Sequence, residues 1–208
     1  MTPHPPRSAP PAPVRLRLYA WVAGLFLGAL EGALAVVVAD NRSGALALVC
    51  AVGAAMVLGT VAGRPLARHL GRRRTGLVMA VLAAVGAGLA AGLDGVPALI
   101  GAGLAGSAAG GLLVVAPLVC HELSLRGHKR LMPQAMALGS AGAGVATLAA
   151  WWSPARTPTA WVVVAVAALV HLFCALRLPE SPTWLVRQSH DVEAFEALRR
   201  LHGTLEAS

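Results

Sequence analysis

The chain has 208 residues, of which 57% are hydrophobic and only 12% are charged. Soluble domains carry roughly 25% charged residues, so this composition excludes an ordinary water-soluble surface. The net charge is +8, but the basic residues form short clusters between apolar runs, a pattern typical of membrane topology rather than of nucleic-acid binding.

The N-terminal residues 1–15 predict a disordered cytoplasmic tail. Six prolines lie within the first 14 residues, and such a composition favours an extended segment without a packed core. The apolar run that follows is about 20 residues long, which exceeds the core of a secretory signal. We therefore interpret that run as a membrane helix and not as a cleaved leader.

Six apolar segments follow, each close to the roughly 20 residues that cross a bilayer as a helix. They predict an all-α integral membrane fold, with a bundle of six transmembrane helices in residues 16–178. The segments are rich in Ala and Gly, which allow close helix packing in lipid. The predicted helices are Leu18–Ala39, Gly44–Gly63, Thr75–Leu93, Val96–Val119, Leu131–Ala150 and Ala160–Leu178.

The connecting segments alternate in charge. Fifteen of the 17 Lys and Arg residues lie in the tail, in loops 2–3 and 4–5 and after helix 6, whereas Arg42 and Arg156 lie on the other side. The positive-inside rule therefore predicts that both termini are cytoplasmic. We expect a multi-pass protein of the plasma membrane.

Aromatic side chains mark the expected membrane interfaces. Trp151, Trp152 and Trp161 flank the outer loop between helices 5 and 6, as in an aromatic belt. Tyr19 and Trp21 fit the same interpretation at the inner end of helix 1.

Residues 179–208 predict a cytoplasmic segment that contains an amphipathic helix. Acidic residues precede basic ones, and Gly203 follows them, which is the charge order that stabilises a helix dipole. The apolar stripe suggests that this helix lies on lipid or on the bundle. Its residues are Val192, Phe195, Leu198 and Leu201.

Three cytoplasmic segments resemble motifs of the major facilitator superfamily. The segment 63–74, GRPLARHLGRRR, resembles its G…LADRxGRR motif. Pro117 through Glu122, then Arg126-Gly127 and Gln134, resemble the sugar-porter pattern PxYxxE…RG…Q, and LPESPTWL at 178–185 resembles PESPRWL. The resemblance covers about residues 16–203 and implies the N-terminal six-helix half of a sugar-porter-type transporter.

The resemblance implies a transporter of a sugar or a similar small polar solute, with or without proton coupling. It also implies a cytoplasmic charge network that holds inner helix ends together in one state and releases them in another. The alternative is that the arginines act only as topology signals. The network comprises Arg72, Arg73, Glu122, Arg126 and Glu180.

Two residues within the predicted spans are candidates for the substrate site. Glu31 lies near the middle of helix 1, where a charge costs at least about 2.5–3.5 kcal/mol. We interpret Glu31 as a proton-coupling and substrate-binding group, or else as a carboxyl hydrogen-bonded to a neighbouring helix. Gln134 can donate to and accept from sugar hydroxyls; its alternative role is to join helices.

The sequence also departs from the family patterns. Arg68 and His69 replace the acid and the arginine of the LADRxGRR motif, and Thr183 replaces the arginine of PESPRWL. Ala141 stands where the family often has a second glutamine, and the chain ends at Ser208 without a second half. A homodimer or a separate second-half chain is therefore expected; the alternative is a truncated, non-transporting membrane protein with a structural or scaffold role.

Enzymatic chemistry, metals and cofactors are not expected. The sequence has no GxSxG or HExxH motif, because Leu125 replaces the second histidine after His121-Glu122. Three widely spaced cysteines match neither a disulfide framework nor a zinc site. The expected partners are the lipid bilayer and a sugar-like solute, and not nucleic acid.

Overall fold

The computed structural model describes residues 14–40, 44–123 and 128–202. Every regular element in these ranges is a helix, so the predicted all-α fold is confirmed. Six long helices precede two short ones. They are α1 (Val14–Ala39), α2 (Ala45–Leu70), α3 (Arg72–Gly92), α4 (Val96–Leu123), α5 (His128–Trp151), α6 (Arg156–Leu176), α7 (Pro182–Arg187) and α8 (Asp191–His202).

The long helices have the dimensions of membrane spans. Within the described residues, α1, α2, α3, α4 and α6 contain apolar windows long enough to cross a bilayer. The remaining long helix, α5, has 24 residues, or about 36 Å at the helical rise, against a hydrocarbon core of about 30 Å. It packs along α1, so it covers the same depth with a less apolar sequence.

At the connection between α2 and α3, the helices extend further than the apolar segments predict. The segment 64–74 was expected to be a loop, but α2 continues to Leu70 and α3 begins at Arg72, with Gly71 alone between them. Gly71 has φ +94°, a conformation that side chains disfavour. Helices continue into water beyond the lipid core, so apolar length alone underestimates them.

The helix pairs reveal an internal repeat. The largest contacts join α1 to α5 and α2 to α4, and α3 contacts both α4 and α6. If α1, α2 and α3 are matched to α4, α5 and α6 in order, the α1–α5 pair corresponds to the α4–α2 pair. This pattern is that of two three-helix repeats within a six-helix half of a major facilitator.

Glycines bring the paired helices into backbone contact. Gly24, Gly28 and Gly32 of α1 lie against Ala135, Gly139 and Ala143 of α5, four residues apart on both helices. Because both sets of numbers rise together, α1 and α5 run parallel. The α2–α4 pair uses the same device on its own helices, where Gly59 and Gly63 face α4 and Gly106 and Gly110 face α2.

The short helices α7 and α8 pack on each other through small residues. Ala194 and Ala197 of α8 are buried with Leu185 of α7. Val192 and Phe195 are 76% and 70% exposed, so this part of the predicted apolar stripe does not pack on the bundle. Contact of the stripe with lipid remains a prediction.

Candidate functional site

The start of α3 and the end of α4 are joined by a buried ion pair. The Arg72 and Glu122 side chains are 7% and 13% exposed, and Arg72 Nη2 lies 2.8 Å from Glu122 Oε1. Arg72 Nε also donates to both carboxylate oxygens, at 3.1 and 3.0 Å, and Nη1 donates to the Ala67 carbonyl. The guanidinium therefore ties α3 to the last turns of both α2 and α4.

Ser181 attaches the segment after α6 to the same ion pair. Its hydroxyl donates to Glu122 Oε2 at 2.5 Å, and its oxygen accepts from the Trp184 amide at the start of α7. The hydroxyl of Thr183, which takes the place of the motif's arginine, lies 2.8 Å from that of Ser181. One small side chain thus both caps α7 and binds α4.

Glu180 binds the beginning of α3 through backbone rather than through an arginine side chain. Its Oε1 accepts from the Arg73 amide at 3.0 Å, and the carboxylate lies where a side chain at Gly71 would be. The first amides of a helix lack internal partners and attract anions. The Arg73 side chain donates instead to the Leu176 carbonyl.

These residues lie at the end of the bundle that the sequence predicts to be cytoplasmic, and we call them the cytoplasmic cluster: Arg72, Arg73, Glu122, Glu180 and Ser181. The structure brings together four of the five residues that were expected to form a charge network. Arg126, the fifth, lies outside the described residues. The cluster links the C-terminal ends of α2, α4 and α6 to the start of α3.

Gln134 lies beside an aromatic side chain of α1. The Trp21 indole Nε1 donates to Gln134 Oε1 at 3.3 Å. Trp21 is half-buried and Gln134 is exposed. The contact follows from the parallel α1–α5 pairing, because Gly24 lies against Ala135 and so sets Trp21 and Gln134 at similar depth.

Glu31 is exposed on α1 and is separate from Gln134. Gly32 lies against Ala143, so Glu31 is level with a residue of α5 about eight positions beyond Gln134, or about 12 Å along the axis. Ala35 and Val38 are also exposed and continue the same face of α1 towards its C-terminal end. The two predicted substrate-site residues therefore do not form one contact cluster.

The comparisons with known proteins cover almost the whole chain. Residues 21–208 match the family described as "Sugar (and other) transporter". The chain belongs to this sugar transporter family. It is a multi-pass membrane protein with the fold of one half of a major facilitator, and, since the family consists of transporters, it is not expected to be an enzyme.

Individual relatives of the sugar transporter family are considerably longer. Plastidic glucose transporter 4 of Arabidopsis thaliana is 31% identical over 198 residues, which cover 86% of this chain and 35% of that protein. The proton:xylose symporter XylE bound to 6-bromo-6-deoxy-D-glucose superposes with a TM-score of 0.72 at 21% identity, over 90% of this chain and 49% of that one. XylE from E. coli in a partially occluded, inward-open conformation gives 0.72 at 20% identity, over 93% and 56%.

Two residues of the candidate site were not predicted from the sequence to belong to it. Ser181 precedes Pro182, and Ser followed by Pro is a signal for a helix start that indicates α7. Trp21 was interpreted as an interface residue, and no local signal connects it to Gln134. Only the pairing of α1 with α5 reveals that contact.

A second polar contact within the described residues lies at the C-terminal end of α1. There Asp40 accepts a hydrogen bond from the Thr157 hydroxyl at 2.9 Å and lies 3.8 Å from Arg156 Nη1. His171 is buried and packs against Tyr19, with the ring centroids 4.8 Å apart and the ring planes tilted by 40°. Within the described ranges, no three His, Cys, Asp or Glu residues lie close enough together to hold a metal ion.

Proposed function

We propose that this chain is the N-terminal half of a sugar-porter transporter, and that it binds a sugar or a similar small polar solute through Gln134. The chain spans about a third of its plant relative and about half of the superposed XylE chains. In major facilitators the substrate site lies near the bilayer midplane, between two six-helix halves. A second six-helix half completes the proposed site.

The observation that carries this proposal is the exposure of Glu31 on a helix otherwise suited to lipid. A carboxyl group within a span is costly unless it faces protein or a water-filled cavity. Nothing in the described bundle covers this face of α1, where Glu31, Ala35 and Val38 are exposed. A second half enclosing an aqueous pathway covers it, and Glu31 is then placed to bind the coupling proton.

The cytoplasmic cluster serves as a gate in this proposal. Arg72, Glu122 and Ser181 hold α3, α4 and α7 together, and Glu180 holds the start of α3. Both acids lie at the inner helix ends, so separation of these contacts loosens that end of the bundle. The cluster is thus a two-state element of the kind on which alternating access depends.

The proposed orientation places both termini in the cytoplasm of a cell whose plasma membrane holds the protein. It rests on the 15-to-2 distribution of basic residues. In a variant without native cysteines, a membrane-impermeant maleimide applied to intact cells should label Pro154→Cys but not Gln188→Cys. The reverse pattern would invert the orientation.

Uptake of radiolabelled D-glucose and D-xylose into proteoliposomes tests the transport function. The chain is reconstituted at increasing protein-to-lipid ratios, and a pH gradient is imposed or omitted. Gln134→Ala should reduce uptake at least tenfold, and Glu31→Gln should abolish the response to the pH gradient. Gln188→Ala and Glu193→Gln, which change the same residue types at exposed positions of the cytoplasmic segment, should leave uptake unchanged.

Uptake that is unaffected by Glu31→Gln combined with Gln134→Ala would overturn the proposed site. Complete absence of uptake and of sugar binding, at every protein-to-lipid ratio, would favour the non-transporting, structural alternative. Uptake that responds to Gln134→Ala but not to a pH gradient would retain transport and remove proton coupling.

A further inference from the structure

We propose that Trp21 is a positioning residue of the substrate site, and that it holds the Gln134 amide so that Gln134 donates to the sugar. This inference rests on the proposed function of Gln134. It assigns a role in recognition to a residue that the sequence suggests only as an interface anchor.

The contact itself defines the orientation of the amide. The indole N–H of Trp21 is a donor with no acceptor capacity, and it points at Gln134 Oε1 from 3.3 Å. Rotating the amide by half a turn would place its NH2 group against the indole N–H, donor against donor. The carbonyl oxygen of Gln134 is therefore directed at Trp21, and the NH2 group is directed away from it.

This orientation changes what the glutamine offers a ligand. A free glutamine side chain presents a donor and an acceptor and can exchange them. With its oxygen engaged by Trp21, Gln134 presents chiefly N–H donors, which bind the lone pairs of a hydroxyl or ring oxygen. Gln134 is exposed, so these donors are accessible from the face that the proposed second half encloses.

The indole adds a flat apolar surface next to those donors. Tryptophan combines a large apolar ring with one polar atom, and the polar atom of Trp21 is already used within the protein. Trp21 is only half-buried, so part of the ring remains available to a ligand. Donors beside an apolar plane match a pyranose sugar, which carries acceptor oxygens at its rim and C–H groups on its face.

The surrounding packing makes this arrangement rigid. Gly24, three residues after Trp21 on α1, contacts the backbone of Ala135, which follows Gln134 directly on α5. Any side chain at position 24 would separate α1 from α5 and lengthen the indole-to-amide distance. The close contact at Gly24 thus fixes the distance between the Trp21 indole and the Gln134 amide.

Equilibrium binding of radiolabelled D-glucose to the full chain in lipid nanodiscs tests the inference through a double-mutant cycle. Trp21→Phe keeps an aromatic ring and removes the N–H, and it should weaken binding roughly three- to tenfold, the range of one hydrogen bond. In the Gln134→Ala background the same change should have little further effect, because the coupled partner is gone. Trp152→Phe, at an 85% exposed position, is the matched control and should bind like the wild type.

The outcomes separate this inference from the proposed function. If the wild-type chain does not bind glucose, xylose or any other sugar of a panel, the proposed function fails and the inference with it. If the wild type binds and Trp21→Phe binds equally well, or if the effects of Trp21→Phe and Gln134→Ala multiply independently, only the inference is overturned. Helical content and size-exclusion profile of each variant confirm that folding is unchanged.

Discussion

The Arg72–Glu122 pair shows how strongly one residue of the cytoplasmic cluster depends on another. Both side chains are largely removed from solvent, and the guanidinium makes bonds to Glu122 and to a backbone carbonyl. Charge removed from water in this way is stable only when it is paired and fully hydrogen-bonded.

We predict that Glu122→Leu lowers the stability of the bundle by about 3–5 kcal/mol, because it leaves a buried arginine without a counter-charge. The double variant Arg72→Met/Glu122→Leu removes both charges and should recover a large part of that loss. Thermal unfolding followed by size-exclusion chromatography of the detergent-solubilised protein provides the measurement. A double variant less stable than Glu122→Leu alone would contradict the pair's electrostatic role.

A second prediction at the residue scale concerns Gly71, which has a positive φ and lies against Glu180. Its φ of +94° with ψ of 158° lies in a region accessible essentially to glycine, at a cost of about 1–3 kcal/mol for other residues. The Glu180 carboxylate also occupies the space of a side chain. Gly71→Ala should therefore destabilise the protein and detach Glu180 from α3.

The control for Gly71→Ala is Gly95→Ala. Gly95 also has a positive φ, of +67°, but nothing lies within 4 Å of the position of its Cβ. Its replacement adds backbone strain without a clash. Equal loss of thermal stability in the two variants would show that the contact with Glu180 contributes nothing beyond the strain.

At the scale of the helices, the α1–α5 contact should tolerate no added side chain. A methyl group at Gly28 would overlap the backbone carbonyl of Gly139, and backbone cannot rotate away as a side chain can. We expect Gly28→Ala to destabilise the fold by more than the 1–3 kcal/mol typical of overpacking. The control is Gly144→Ala, on α5 with open space around it, which should leave expression and monodispersity unchanged. Equal expression and monodispersity of Gly28→Ala and Gly144→Ala would contradict the close contact.

The sequence predicts the helices better than it predicts their ends and partners. Apolar runs of about 20 residues and alternating charge are properties of the bilayer, so six helices are readable without any knowledge of packing. Continuation of α2 to Leu70 occurs outside the bilayer, where apolarity carries no signal. The face of α8 that packs on α7 is formed by Ala194 and Ala197, because small residues allow close approach, although larger apolar residues dominate the sequence pattern.

The candidate site divides in the same way. Motifs place Glu122 and Arg72 on the cytoplasmic side, and opposite charge makes their pairing foreseeable. The binding of Glu180 to the Arg73 amide depends on the turn at Gly71, which no charge pattern encodes. The separation of Glu31 from Gln134 depends on the register between α1 and α5, which is set by glycine contacts along their whole length.

At the scale of the whole molecule, the bundle alone leaves a polar group on a surface that lipid would otherwise cover. Glu31 lies about 12 Å from the C-terminal end of α1 at the helical rise, and its neighbours on that face are Ala35 and Val38. An isolated bundle therefore has to bear the cost of a carboxyl in hydrocarbon, or let water or a second protein surface reach it.

We predict that this 208-residue chain, expressed alone, associates with a second copy in the bilayer and covers that face. Native mass spectrometry from lipid nanodiscs should then detect a species of twice 21.1 kDa, and single-molecule photobleaching in membranes should show two steps. Glu31→Leu removes the group that disfavours lipid contact and should shift the population towards monomer, while Glu193→Gln on α8 should not. A wild-type chain that is strictly monomeric at all protein-to-lipid ratios would exclude self-association as the way in which that face is covered.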